Sequence, residues 1–296
     1  MNSSKNIDHY TEVTNQIIIA LENNTKPWIK PWCGGVLTPQ KRYNGDSYQG
    51  VNTLVLWGEA LKKQYNSSFW MTFKQAKLLG GNVKKGEKST SVFYSGVIKN
   101  KKDEEKPTKQ DLTEKENYRK FMKSYSVFNA SQIDNLSDEY YIKPEEENQN
   151  KELKKLPELE AFIAKTKAKI KHDAGNAYYL EKEDCIQMPK MQLFKSVNAY
   201  YATLCHELTH WTKHKTRLDR DLGGKRFGDN GYAMEELVAE LGAAFLSVGF
   251  GIVPDVRDDH VPYIANWLEV LKSDKKAIFT AASLAQKAAN YLLGKE

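Results

Sequence analysis

Cysteine is scarce in the 296 residues: Cys33, Cys185 and Cys205 are too few and too scattered for a disulfide framework or a cysteine-based zinc ribbon. Three reduced thiols fit a cytoplasmic protein. Long apolar runs are missing too. The longest uncharged stretch, Leu241 to Pro254, is too short to span a bilayer and is interrupted by glycines, so no membrane partner is expected. The opening MNSSKNIDHYTEV has no apolar segment of the kind a secretory leader carries. No self-similarity recurs at a period of about 20–50 residues, which excludes solenoids and propellers.

What is present is globular in character: 40% of the residues are hydrophobic and 28% charged, over a length sufficient for two domains. The charge is unevenly placed. Residues 1–130 hold 21 Lys+Arg and 12 Asp+Glu, a net +9, whereas residues 131–296 hold 23 and 26, a net −3. The formal +6 of the whole chain therefore comes from its N-terminal part, which points to a polyanionic partner for that part.

The pattern of elements predicts an α+β fold. Apolar spacing predicts a helix over 11–23 and another around 51–64, and Thr72 suits the N-cap of a short helix ending at Gly80-Gly81. Strands are expected at 90–98 and 124–129, with the charged stretch 99–117 as a solvated insertion between them. A second polar stretch, 137–155, is expected to link a domain at 1–136 to a mostly helical domain at 156–296. In that second part, helices are expected over 156–171, from Ser196 to about 215, over 232–248, 257–272 and 275–293, with one strand or hairpin at 177–188.

The strongest motif is His206-Glu207-Leu208-Thr209-His210, an HExxH inside a helical pattern. The i, i+4 spacing puts both imidazoles on one helix face, able to grip one divalent ion. Glu207 then stands beside the open coordination position as general base for a water polarised by the ion. A third ligand must come from elsewhere. Thr216 occupies the position where a metzincin would carry its third histidine, so that subclass is rejected. The helix Met234–Glu240 instead offers Glu236 and Glu240 on one face of an otherwise apolar segment. A carboxylate on a buried face is costly unless paired or metal-bound. Glu236 is read as the third ligand and Glu240 as acceptor of the free N–H of a ligating histidine. Glu235, 100° around the same helix, is the alternative ligand. The site is of the gluzincin type, taking Zn²⁺ or another divalent ion such as Mn²⁺.

The N-terminal part sets aromatic and basic residues close together: Trp28, Trp32, Lys41, Arg42, Tyr43, Tyr48, Trp70, Lys74, Lys84 and Lys85. Rings that stack on unpaired bases beside lysines that track phosphates are how single strands are held without sequence choice. A basic solvated surface is the competing reading. Trp57, Phe73 and Phe93 are assigned to the core.

Several ordered motifs resemble the ArdC family of plasmid antirestriction proteins: Pro27-Trp28 with Pro31-Trp32, Tyr48-Gln49-Gly50-Val51-Asn52, Trp70 to Ala76, Tyr125 to Asn129, Asp184 to Pro189, His206 to Trp211, and Glu235 to Ala243. The N-terminal motifs are similar to those of TraC-type plasmid primases. The resemblance implies a single-stranded-DNA-binding N-terminal domain, a zincin-like metallopeptidase domain, and protection of incoming plasmid DNA from host restriction. Lys213 departs from it, standing where a glycine is expected. The expected function is thus antirestriction with single-stranded DNA and a protein target as partners. A DNA-binding factor with a structural or vestigial metal site is the alternative; a nuclease ranks low, because HExxH with one glutamate differs from the carboxylate-rich two-metal sites typical of phosphodiester cleavage.

Overall fold

The computed structural model describes residues 8–23, 25–26, 28, 38–99, 118–141, 155–173, 175–223, 229–252 and 261–295. The order of elements is α1 (His9–Glu22), β1 (Lys41–Arg42), α2 (Val51–Lys63), β2 (Phe69–Met71), α3 (Phe73–Leu78), β3 (Asn82–Val83), β4 (Thr90–Lys99), β5 (Tyr118–Asn129) and β6 (Ile133–Asp134). Then come α4 (Lys155–Thr166), β7 (Lys169–Lys171), β8 (Tyr178–Leu180), β9 (Cys185–Gln187), α5 (Val197–Trp211), α6 (Asn230–Phe250), α7 (Val261–Ser273) and α8 (Ala277–Leu293). The fold is α+β. Among the described residues no helix is long and apolar enough to cross a membrane.

Local chemistry explains most of the boundaries. Thr72 and Gln75 form a reciprocal capping box at the start of α3. Ser196 accepts from the Ala199 N–H to open α5, and Asp229 does the same for α6 through Tyr232. Gly251 and Gly294 close α6 and α8 in the left-handed conformation that their missing Cβ permits. Two helices are shorter than their sequence suggests; the helix expected to reach about 215 stops at Trp211. The segment expected to run helically to Lys171 stops at Thr166, Lys167 turns at φ 58°, and Lys169–Lys171 becomes β7, paired parallel with β9.

A four-stranded sheet of order β1-β2-β5-β4 lies in the N-terminal part, and a three-stranded sheet of order β7-β9-β8 leaves β8 at an edge. The largest apolar core takes Val13, Ile17, Leu21, Trp28, Leu54 and Trp57 from the first part of the chain. It takes Leu237, Leu241, Trp267, Ala281 and Ala285 from the second. The net charge changes sign along the chain, but this core runs through both parts. A second core, with Phe162, Ile186, Tyr201, Leu204 and Leu208, seats α5 against the small sheet.

Candidate metal centre

Helix α5 is buried on nearly every side from Tyr200 to Trp211. It crosses α6 at Thr209 and Gly242, so closely that a Cβ on Gly242 would lie 2.5 Å from Thr209 Cγ2. A glycine is therefore needed at the crossing. The close approach carries Glu235, Glu236 and Glu240, within two turns of Gly242, onto the histidine face of α5.

The result is a convergent donor set. The Nε2 atoms of His206 and His210 face each other at 3.1 Å. Glu236 places Oε2 3.5 Å from His206 Nε2 and Oε1 3.5 Å from His210 Nε2. His206, His210 and Glu236 are the group among the described residues whose ligand atoms all lie within 4.8 Å of one another.

The other imidazole nitrogens are held from behind. His210 Nδ1 lies 3.0 Å from Glu235 Oε1, and Arg220 grips the same carboxylate through Nε and Nη2, both at 2.8 Å. Arg220 also donates to the Thr209 carbonyl and the Thr212 hydroxyl, each at 3.0 Å, so it closes the C-terminal end of α5 as well. His206 Nδ1 lies 3.4 Å from Glu240 Oε1, long for a hydrogen bond, and Glu240 Oε2 lies 3.8 Å from the buried Lys26 ammonium. Lys26 also sits over the Trp267 ring, 5.2 Å from its centroid. Each histidine thus has a carboxylate and a cation behind it: a hydrogen bond to Glu235 fixes the His210 ring, and the wider Glu240 contact faces His206 Nδ1.

The electrostatics suit a cation. Burial works against charge on His210, but the Glu236 charge and the Glu235 hydrogen bond overcome it and push its pKa up to about 10. His206 is raised in the same way by Glu236 and Glu240, against its burial. Glu236 is held well below the usual carboxylate range, its burial outweighed by the two imidazoles. Glu207, Glu235, Glu236 and Glu240 gather four carboxylates around the two imidazoles, with Arg220 and Lys26 behind them, a field that favours positive charge at the Nε2 atoms. Two imidazole nitrogens and one carboxylate, aimed at one point, fit a zinc-like ion.

Glu207 lines the same cleft of about 260 Å³, together with Tyr178 and Tyr179 of β8, Lys213, Tyr232 and Tyr263. The hydroxyls of Tyr232 and Tyr263 lie 3.3 Å apart. Burial, the Tyr263 hydroxyl and the Glu236 charge keep Tyr232 protonated far above its ordinary pKa. Edge strand β8 is pinned beside the cleft by Arg217, which stacks 3.8 Å from the Trp211 ring centroid and binds Asp184 at the β8–β9 turn. Lys213 reaches over the Tyr179 ring at 5.9 Å. His214 turns away to Thr216. Cys205 is a core residue whose thiol burial pushes up to about 12, which leaves no thiolate at neutral pH.

The structure brings His206, His210, Glu236, Glu240 and Glu207 together, and it sets Glu235 on the Nδ1 side of His210. Arg220 and Lys26 carry no sequence signal for this place: one lies in the connection after α5, the other near the start of the chain.

The nucleic-acid residues scatter more. Trp28 and Trp70 have no exposed surface. Trp28 packs edge-on against Trp267 at 6.0 Å, and the Trp70 indole N–H donates to Gln40 at 2.6 Å. Both are core residues, so neither stacks on a base. Trp32 lies outside the described residues. Lys74, Lys84 and Lys85 are exposed, with Lys84 bonded to the Ser131 carbonyl at 2.9 Å. Tyr43 is exposed, Lys41 lies over the Phe69 ring, and Arg42 lies over the half-buried Tyr48. Phe73, expected in the core, is exposed, whereas Trp57 and Phe93 are buried. Aromatic residue type does not distinguish core from surface. Burial by distant segments does.

A buried HExxH helix, a glutamate from a crossing helix and a strand-edged cleft define a zincin-like metal-site protein. The zincin-like metallopeptidase family matches residues 157–284, and the N-terminal domain of anti-restriction factor ArdC matches residues 7–128. The chain belongs to the ArdC family of antirestriction proteins. The metal-free crystal structure of ArdC from plasmid R388 is 42% identical, covers 97% of each chain and superposes with a TM-score of 0.79. Its Mn(II)-bound form is 40% identical, covers 97% of this chain and 98% of its own, and has a TM-score of 0.79. The y4eC protein of Sinorhizobium fredii is 37% identical over 96% of this chain and 91% of its own. The DNA primase TraC of Escherichia coli is 33% identical over 97% of this chain, which spans 27% of the primase.

Proposed function

We propose that the chain is an antirestriction protein of a conjugative or mobile element, binding single-stranded DNA through its basic N-terminal part and carrying a divalent-metal peptidase site in its second part. The observation that carries the site is the pair of Nε2 atoms at 3.1 Å with Glu236 at 3.5 Å from each, every Nδ1 being backed by its own carboxylate. His206, His210 and Glu236 would hold the ion, as zinc or as manganese, the metal found in the R388 relative. When bound there, a divalent ion polarises a carbonyl and makes water a nucleophile near neutral pH.

The chain's own residues supply the rest. Glu207 takes a proton from the attacking water and passes it to the leaving amine. The backbone of edge strand β8 is placed to pair with an extended peptide along the cleft. Tyr263 and Tyr232 present hydroxyl donors on the cleft wall, where an oxyanion would need them. Glu235 and Glu240 hold the two imidazoles in the tautomer that leaves Nε2 bare.

Replacement of Glu207 by alanine tests the reading. The variant is expected to retain its metal, measured by elemental analysis, to lose cleavage of any protein target, and to trap that target for identification. Full antirestriction by a metal-loaded Glu207→Ala protein would mean that the metal serves the fold and that DNA binding alone protects.

A further inference from the structure

The two longest strands offer more surface than the core uses. β4 and β5 pair along ten registers, from Thr90↔Val127 to Lys99↔Tyr118. β2 reaches β5 only at Asn129 and Phe128, so beyond that point the pair is a two-stranded ribbon. Opposed residues in such a pair share a face. One face is anchored: Phe93 is buried, 5.2 Å from the His9 ring and 5.9 Å from the Phe279 ring, and Met122 packs on the same core. Asn52 clamps the Phe93 N–H and C=O, both at 2.7 Å.

The opposite face starts in the core at Val92 and Val127 and then runs outward through Tyr125, Tyr94 with Lys123, and Gly96 with Phe121. Tyr94 is 55% exposed and Tyr125 48%. The Tyr94 and Phe121 rings sit 5.9 Å apart, and the Lys123 ammonium lies 5.5 Å from the Phe121 centroid. Gly96 makes this possible, since a Cβ there would lie 2.7 Å from the Phe121 ring. At the foot of the face, Tyr48 packs on the Val92–Val127 cluster with Arg42 5.4 Å from its ring. Lys123 is the basic residue of this face among those whose side chains are described, and neither strand carries an acidic residue.

We propose that this outer face, with Tyr94, Phe121 and Tyr125 as stacking surfaces and Lys123 and Arg42 as phosphate contacts, is the seat of the single-stranded nucleic acid. The proposal rests on the reading of the chain as a single-strand binder and gives that binder its surface. Two exposed rings, Tyr94 and Tyr125, and the half-buried ring of Phe121, interleaved with cations on a ribbon anchored by its other face, match what unpaired bases and their phosphates require. A duplex keeps its base faces stacked and has no use for the rings.

The full chain is titrated with a fluorescently labelled oligothymidylate over a range of salt concentrations, beside Tyr94→Ala, Phe121→Ala, Tyr125→Ala and Lys123→Ala, each checked for unchanged melting. Each aromatic variant is expected to bind about 5- to 100-fold more weakly with an unchanged salt slope. Lys123→Ala is expected to reduce the slope by about 0.7. Phe121→Tyr should restore binding. If the wild type binds and all three aromatic variants match it, the seat lies elsewhere. If the wild type does not bind, the single-strand reading itself falls. Binding of anionic lipid vesicles, lost in the same variants while oligothymidylate binding persists, would reassign the face to a membrane.

Discussion

Arg220 is the residue on which the metal site leans most. Its guanidinium is buried, grips Glu235 at two points and holds the Thr209 carbonyl and the Thr212 hydroxyl at the C-terminal end of α5. Arg220→Met removes the cation and leaves the Glu235 carboxylate in a dry site, a change that costs about 3–5 kcal/mol. The expected result is a lower melting temperature and a metal affinity weaker by about 10- to 100-fold, read by calorimetric titration. Arg220→Lys should rescue this only partly, because an ammonium cannot copy the fork. Protons enter at the same scale. His210 is raised from 6.5 to about 10, so its protonation stabilises the metal-free fold fully below 6.5, and that contribution is lost as the pH rises through about 10. A metal ion must displace that proton. Apparent affinity should therefore rise with pH between those values, and titration at pH 7 in buffers of different ionisation enthalpy should show proton release. Equal heats in all buffers would contradict the charge field described. The convergence of His206, His210 and Glu236 is legible because i, i+4 spacing is written in the sequence at His206/His210 and again at Glu236/Glu240. Arg220 and Lys26 are not, since they arrive by tertiary folding and belong to no periodic pattern.

At the scale of elements, the site exists because two helices approach unusually closely. Thr209 donates its hydroxyl to the Cys205 carbonyl inside α5, and both its methyl and its hydroxyl oxygen lie against Gly242. Gly242→Ala puts a methyl into that contact and forces α5 and α6 apart or out of register, at about 1–3 kcal/mol. The loss should be larger for metal binding than for melting, because Glu236 rides on the displaced helix; Thr209→Ser combined with Gly242→Ala should recover part of both. Thermal melts with and without added zinc measure the two effects. Helix starts marked by Ser196 and Thr72 could be read directly, since capping is a local signal. β7 could not. Its three residues, Lys-Ile-Lys, follow a helical pattern without a break, and only parallel pairing with β9 makes them a strand. The extension of β5 back to Tyr118 has the same origin, in its pairing with β4.

The whole molecule is joined more tightly than its charge division implies. A composition change at 137–155 suggests two independent units, yet Val13, Ile17, Leu21, Trp28, Leu54 and Trp57 share one core with α6, α7 and α8. Trp28 and Trp267, both with almost no exposed surface, meet at the centre of that shared core. Lys26 adds an electrostatic link from the N-terminal part to Glu240 behind His206. A fragment of residues 156–296 would expose the apolar faces of α6, α7 and α8 and lose the Lys26 ammonium from the site. Burial of a large apolar side chain is worth about 1.5–3 kcal/mol, so the six N-terminal residues together contribute as much as the net stability of an ordinary domain. The fragment is expected to bind a hydrophobic dye, to melt without a cooperative transition and to take up zinc at least about 10-fold more weakly than the full chain. The full chain, in contrast, should unfold in one transition whether followed by tryptophan fluorescence or by far-ultraviolet dichroism. A less drastic version, Trp28→Ala in the full chain, should cost about 3–5 kcal/mol and lower metal affinity although the residue touches no ligand. A fragment that melts cooperatively with undiminished zinc affinity would show that the shared core only docks two self-sufficient units. Loss of both properties would mean that the N-terminal part completes the fold on which the metal centre is built.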